Sequence, residues 1–215
     1  PGAKKVTLEE EINRVIPVLR KLRKRFKIPF SIDTYKAKVA KEALEVGADM
    51  VNDISGLRFD SRMKQIISKY DVPVVIMHIK GTPQNMQNNP EYKDLMNEII
   101  SYLKESIKIA EEEGIDPQKI IIDPGIGFGK TTEHNLEIIK RIPELKSLDK
   151  PILIGVSRKS FIGNVLGLPP SERLEGSLAA TSIAVFQGVN IVRTHDVKAT
   201  RRVVDLVKAI MENSL

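Results

Sequence analysis

Asp123 closes the apolar run 120–123 (IIID), and three glycines follow at alternate positions, Gly125, Gly127 and Gly129, with Phe128 among them and Lys130 and Thr131 behind. Three β-branched residues without a polar break read as a strand buried on both faces, which Asp-Pro-Gly ends abruptly. A carboxylate therefore stands at the carboxyl end of a buried strand. The glycines let the main chain come close to a bound molecule, and Phe128 can offer it an aromatic face. Two nucleotide signatures come near and fail on spacing. A phosphate-binding loop requires Gly where this chain has Pro124, and a dinucleotide loop requires Gly-x-Gly-x-x-Gly where it has Gly-x-Gly-x-Gly.

Other polar groups also fall at or just past the ends of short apolar runs: Asp33, Asn52 with Asp53, His78, Ser157 with Arg158 and Lys159, and Arg193 with His195. Asp33, Asn52 and Asp123 suit a heterocycle that presents ring N–H and amino groups, because a planar row of donors pairs with carboxylate and amide oxygens. Lys159, Arg193 and His195 suit an anion. The implied substrate is a polar heterocycle carrying phosphate. Each residue also has a plainer reading. Asp33 could cap a helix beginning near Tyr35, with Thr34 a rival, and Arg193 and His195 could close an ion-pair layer with Asp196. His78 alone reads better as a hydrogen-bonded structural histidine than as a base, and Arg158 with Lys159 could be a solvated pair.

The elements that must position these groups alternate along the chain. Strands are expected at 29–33, 50–54, 73–78, 119–123, 151–156 and 190–195. Helices are expected from Thr7 through the basic run 20–27, then at 39–46, 63–70, 90–113, 136–142, 174–186 and 197–212. Such alternation demands a parallel sheet with right-handed crossovers, either open and doubly wound or closed as a barrel. Polar endings on all the strands favour the barrel, whose strand tips converge on one mouth. The fold class is thus α/β, a (β/α)8 TIM barrel of which this chain supplies about six βα units, with two strands missing from the amino-terminal side.

The 215 residues fit one domain spanning 1–215, and no linker divides them. The absence of cysteine excludes disulfides, thiol catalysis and Cys-zinc sites. No apolar run approaches membrane length and PGAKKV is no signal peptide, so the reading is cytoplasmic, with no membrane partner. The net charge of +6 is densest at 20–27, where cations complement a helix end and Leu22 and Phe26 read as inward-facing. That explains the run without nucleic acid, and the basic balance fits an anionic substrate.

Six segments then carry a resemblance: SIDTYKAKVA (31–40), VNDISG (51–56), IMHIKGTPQNMQ (76–87), IIDPGIGFGKT (121–131), GVSRKSFIG (155–163) and VRTHDV (192–197). In order and spacing they resemble dihydropteroate synthase, the pterin-binding (β/α)8 barrel of folate biosynthesis. The resemblance implies displacement of diphosphate from 6-hydroxymethyl-7,8-dihydropterin diphosphate by the amine of 4-aminobenzoate. It implies that Asp33, Asn52, Ile54, Met77, Asp123 and Lys159 bind the pterin, that Arg193, Thr194 and His195 bind the diphosphate, and that Phe128 and Ser160 lie beside the aminobenzoate. Lys159, Arg193 and His195 would be the catalytic groups. It further implies Mg2+ as cofactor, held by no residue of this chain, and a homodimer with small-molecule substrates only.

The family begins with two strands and a loop that carry its magnesium contact, whereas this chain begins at Pro1, Gly2 and Ala3, just after them. If the 215 residues were the whole polypeptide, turnover would not be expected of them. Two rivals stand beside the transferase. One is a pterin-binding methyltransferase similar to the methyltetrahydrofolate:corrinoid enzymes, against which Ser157 to Lys159 and Arg193 to His195 argue, since no diphosphate leaves there. The other is a catalytically inactive fragment that only binds pterin.

Overall fold

Thr7 starts the first helix, α1 (Leu8–Arg25), in the computed structural model of the protein, which describes residues 5–212. Pro1, Gly2 and Ala3 lie outside the described residues. The Thr7 hydroxyl accepts from the Glu10 amide at 3.2 Å and so satisfies a donor that the helix start leaves unpaired. Acidic residues in the first turn and basic ones in the last suit the helix dipole. Two details of the basic run differ from expectation. Phe26 does not face inward: the helix ends at Arg25, the backbone turns extended, and the ring is 48% exposed. Nor is the run wholly solvated, because Arg23 donates to Gly47 O at 2.8 Å and pairs with Asp49.

All six expected strands are present and shorter than their apolar runs: β1 (Ser31–Asp33), β2 (Met50–Asp53), β3 (Val74–Met77), β4 (Ile120–Asp123), β5 (Leu153–Ile154) and β6 (Ile191–Val192). Every pairing is parallel. β1 to β4 form one sheet in chain order, β5 pairs with β6, and a bridge between Ile122 and Ile152 joins the two sets. The order never reverses, as it must at the switch point of a doubly wound sheet. Moreover Asp33 on β1 and Arg193 just past β6, at opposite ends of the strand order, form an ion pair of 2.7 Å. A sheet whose outer strands meet is curved as in a (β/α)8 TIM barrel.

Alternation along the strands sorts the core into two layers. Val75, Ile121 and Leu153, with Met50 and Ile191, fill the concave side. Ile32, Val51, Val74, Ile76, Ile120, Ile122, Ile152 and Ile154 point outward into the large cluster beneath the helices. One step further along, the concave-side positions are Asp33, Asn52, Met77, Asp123, Gly155 and Arg193, so the parity that builds the core also aims the polar groups at the mouth.

Helices α2 (Ala37–Glu45), α3 (Met63–Tyr70), α4 (Leu95–Glu112) and α5 (Thr132–Lys140) cover the outside, followed by α6 (Ser160–Leu166), α7 (Leu174–Phe186) and α8 (Val197–Glu212). The long helix expected at 90–113 starts late, because Asp94 caps it by accepting from the Asn97 amide at 3.2 Å. α5 starts earlier than expected for the same kind of reason, a capping box between Thr131 and His134. The seven-residue helix α6 was not anticipated, since it is too short to show a period.

Candidate active site

Asp123 ends β4 buried, with Oδ1 accepting from the Gly125 amide at 2.7 Å. Burial raises its pKa, against the Gly125 bond and the charges of Lys159, Lys130 and Arg193. The loop it starts lies directly on the exit of β3. Gly125 has φ +72° and a Cβ there would stand 1.9 Å from His78 O, while one on Gly129 would stand 2.5 Å from Lys80 O. Gly125→Ala is accordingly expected to cost roughly 3 kcal/mol in urea unfolding, from backbone strain and overpacking together. An unchanged midpoint would contradict that contact.

A cavity of about 380 Å3 opens at this end of the barrel. Asp123, Met77 and Phe128 line it together with Ser157, Lys159, Arg193, Thr194 and His195. Seven of the residues expected from sequence therefore share one space. Asp33 joins them through its pair with Arg193, and Ile54, like Phe128, packs against the cluster of Met77, Ile79 and Met86. Asn52 is buried on the strand next to Asp33, its registered partner. Ser160 is exposed at the first turn of α6 and does not line the cavity. A larger groove of about 680 Å3, between Thr7, Tyr35 and Phe59, lies outside the barrel and holds none of these groups.

The plainer readings resolve one by one. Asp33 caps no helix: Thr34 Oγ1 accepts from the Lys36 amide, and Asp60 accepts from Ala37, the first residue of α2. Asp53 serves structure, accepting from the Ser55 amide and hydroxyl and from the Leu57 amide. Asp196 does not close a layer with Arg193 and His195. It takes Arg158 instead, through two bonds of 2.9 and 2.8 Å, so Arg158 is not merely solvated. His195 Nδ1 lies 2.9 Å from Ser157 Oγ. His78 is a buried, hydrogen-bonded histidine, 2.8 Å from Lys130 Nζ, and burial with the nearby cations pushes its pKa down to about 2.

Lys159 Nζ donates to Ile126 O and lies 4.7 Å from the centre of the Phe128 ring. Burial lowers its pKa to about 8, helped by Arg193 and opposed by Asp123 and Asp33. The mouth thus brings acceptors and cations together around a space large enough for a small heterocycle. Sequence reasoning gave no role to Met86, buried against Met77 and Ile79, to Gln87, which donates to Gly127 O at 2.7 Å, or to Tyr92. They lie in an irregular stretch where no period signals burial. Among the described residues no three His, Asp or Glu side chains converge as a metal site.

Comparison with known proteins agrees with this geometry. Residues 1–195 match the family described as pterin binding enzyme. The dihydropteroate synthase of Synechocystis sp. is 45% identical over 211 residues, which cover 98% of this chain and 73% of the relative. The structure of the Clostridium difficile dihydropteroate synthase in the presence of pteroic acid superimposes with a TM-score of 0.92 at 47% identity, covering 98% of this chain and 78% of that one. That of Xanthomonas albilineans with 4-aminobenzoic acid also gives 0.92, at 39% identity, with 98% and 75% covered.

Proposed function

The chain belongs to the pterin-binding enzymes and functions as a dihydropteroate synthase, and from that premise we propose how its barrel mouth divides the work. The amine of 4-aminobenzoate attacks the exocyclic methylene of the dihydropterin ester. A C–N bond forms, the C–O bond to diphosphate breaks, and the amine loses a proton. The electron-rich pterin itself stabilises positive charge at the methylene, so the protein needs no nucleophile. Its tasks are to hold the ring, neutralise the departing anion and present the amine in line.

In this reading Asp123, Asn52 and Asp33 accept from the pterin's ring N–H and amino groups, between Met77 and Ile54. Lys159 donates to the pterin beside the bond that changes. Arg193, Thr194 and His195 take the diphosphate, and Phe128 lies along the aminobenzoate ring, with Ser160 at its outer end. The Asp33 to Arg193 pair adds a physical link: a ligand that offers donors to Asp33 and an anion to Arg193 replaces both halves of the pair at once. The observation that carries the proposal is the meeting of Asp123, Lys159, Arg193 and His195 around one cavity.

The residues present do not fit a resident metal among the described residues, so magnesium is proposed to arrive with the diphosphate as part of the substrate. The domain is proposed to be a single barrel across 1–215. Leu206 and Ile210 on α8 are 63% and 61% exposed, and on α7, which packs against α8, Ile183 and Phe186 are exposed too; Leu206 and Ile210 are proposed to meet a second copy, while Val203 is half-buried. Among the described residues no helix is long and apolar enough to cross a membrane, and a cytoplasmic location is proposed.

Titration of the enzyme, as its cell makes it, with dihydropterin diphosphate tests the reading, with and without magnesium and aminobenzoate and with sedimentation on the same sample. Saturable binding, aminobenzoate-dependent diphosphate release and a dimeric mass are expected. Methyltetrahydrofolate binding as tightly, with no release of diphosphate, would favour the corrinoid-type methyltransferase instead.

A further inference from the structure

Lys130 is a buried lysine that the reaction does not use. Its Nζ lies 2.8 Å from His78 Nδ1 and donates to Phe128 O at 3.0 Å. The His78 ring is held edge-on to Tyr102 at 4.8 Å between centres and lies 6.1 Å from Tyr92, and burial keeps it neutral, free to accept at Nδ1. Burial also pushes the Lys130 pKa well below the usual lysine range, with Asp123 opposing. A lysine so placed costs stability where an apolar side chain would not, which argues for a task other than packing.

The loop between Asp123 and Lys130 shows what that task is. Four successive carbonyls are each met by a side chain: Ile126 O by Lys159, Gly127 O by Gln87, Phe128 O by Lys130 and Gly129 O by Tyr92 at 2.7 Å. Two of these bonds, from Gln87 and Tyr92, tie the loop to the segment before α4; the Lys130 bond is local and reaches outside the loop through His78; the remaining one is the seat of Lys159. We infer that Lys130 and His78 are a positioning pair for the transfer reaction: joined to each other across β3 and the loop, they set the height at which the loop presents Phe128 to aminobenzoate and Ile126 O to Lys159. The inference rests on the dihydropteroate synthase reading and assigns that site two further residues.

Three variants test it. Lys130→Met keeps the stem and removes the donors, His78→Phe keeps a ring and removes the acceptor, and His78→Asn keeps an acceptor near the place of Nδ1. For Lys130→Met and His78→Phe we expect kcat to fall by about 30-fold and the KM for aminobenzoate to rise by about tenfold, as small misplacements of reacting groups do. The dissociation constant for dihydropterin diphosphate should change much less, by about threefold, because of the pterin's proposed ligands only Lys159 leans on the loop, while Asp33, Asn52 and Asp123 stand on strands. His78→Asn should recover most of both losses. A merely structural pair would lower stability without splitting the two substrates. Wild-type kcat and aminobenzoate KM in Lys130→Met would overturn the inference, as would a His78→Asn enzyme as impaired as His78→Phe. If Lys130→Met does not fold, the two His78 variants decide. A wild-type enzyme that makes no dihydropteroate would instead overturn the functional reading itself.

Discussion

Asp123→Asn is expected to lower kcat/KM for the dihydropterin substrate by about 10³-fold while leaving the melting temperature unchanged or raised. The carboxylate is buried and bonded on one oxygen by the Gly125 amide, which leaves the other lone pairs for a ligand's donors. An amide of the same shape accepts at one end only and turns an N–H toward the pterin's own N–H groups. A site built to accept donors loses much more from such a mismatch than the bond alone is worth. Stability moves the other way. Because burial raises the Asp123 pKa in the fold, the ionised group costs stability above its unfolded pKa, and a neutral isostere removes that cost. Differential scanning calorimetry beside steady-state kinetics reads both quantities. A large fall in melting temperature with the lost activity would assign Asp123 to the framework instead of the ligand.

Lys159→Met is expected to lower kcat/KM by about 10²- to 10³-fold, the loss typical of one preorganised donor, and to abolish the alkaline fall of the wild-type profile. Burial brings the Lys159 pKa to about 8. Its ammonium form is therefore present below that pH and lost above it, so wild-type kcat/KM, which reports the free enzyme, should decline as pH rises through about 8. A wild-type profile flat to pH 10 would show that no loss of the Lys159 ammonium limits the reaction there, and a Lys159→Met enzyme that keeps the same alkaline fall would show that another group titrates. Arg193 persists as a cation in the variant, which is why some diphosphate neutralisation should survive.

The periodic helices were legible in the sequence, several to the residue, as at Met63–Tyr70, Leu174–Phe186 and Val197–Glu212. So were the strands and the polar groups at their ends. The boundaries that slipped did so where a side chain, not the apolar period, set the limit, as with Asp94 before α4 and Thr131 before α5. Phe26 was misread because periodicity was carried one residue past the helix end. Of the site, Asp33, Asp123, Lys159, Arg193 and His195 stood out because each pairs a reactive side chain with a strand terminus.

Residue type and spacing alone determined that this chain alternates strands and helices, that its polar groups gather at the strands' carboxyl ends, and that those groups suit a polar heterocycle and an anion; the pterin itself entered with the family resemblance. Only the tertiary structure decided the partners: Arg193 with Asp33, Arg158 with Asp196, Lys130 with His78, Lys159 with Ile126 O. The reason is one of range. Periodicity and capping act between residues a few positions apart, and a linear chain displays them. An ion pair between the first and the last strand exists only once the sheet has curved. The curvature comes from twist and packing summed over every strand, which no single segment records.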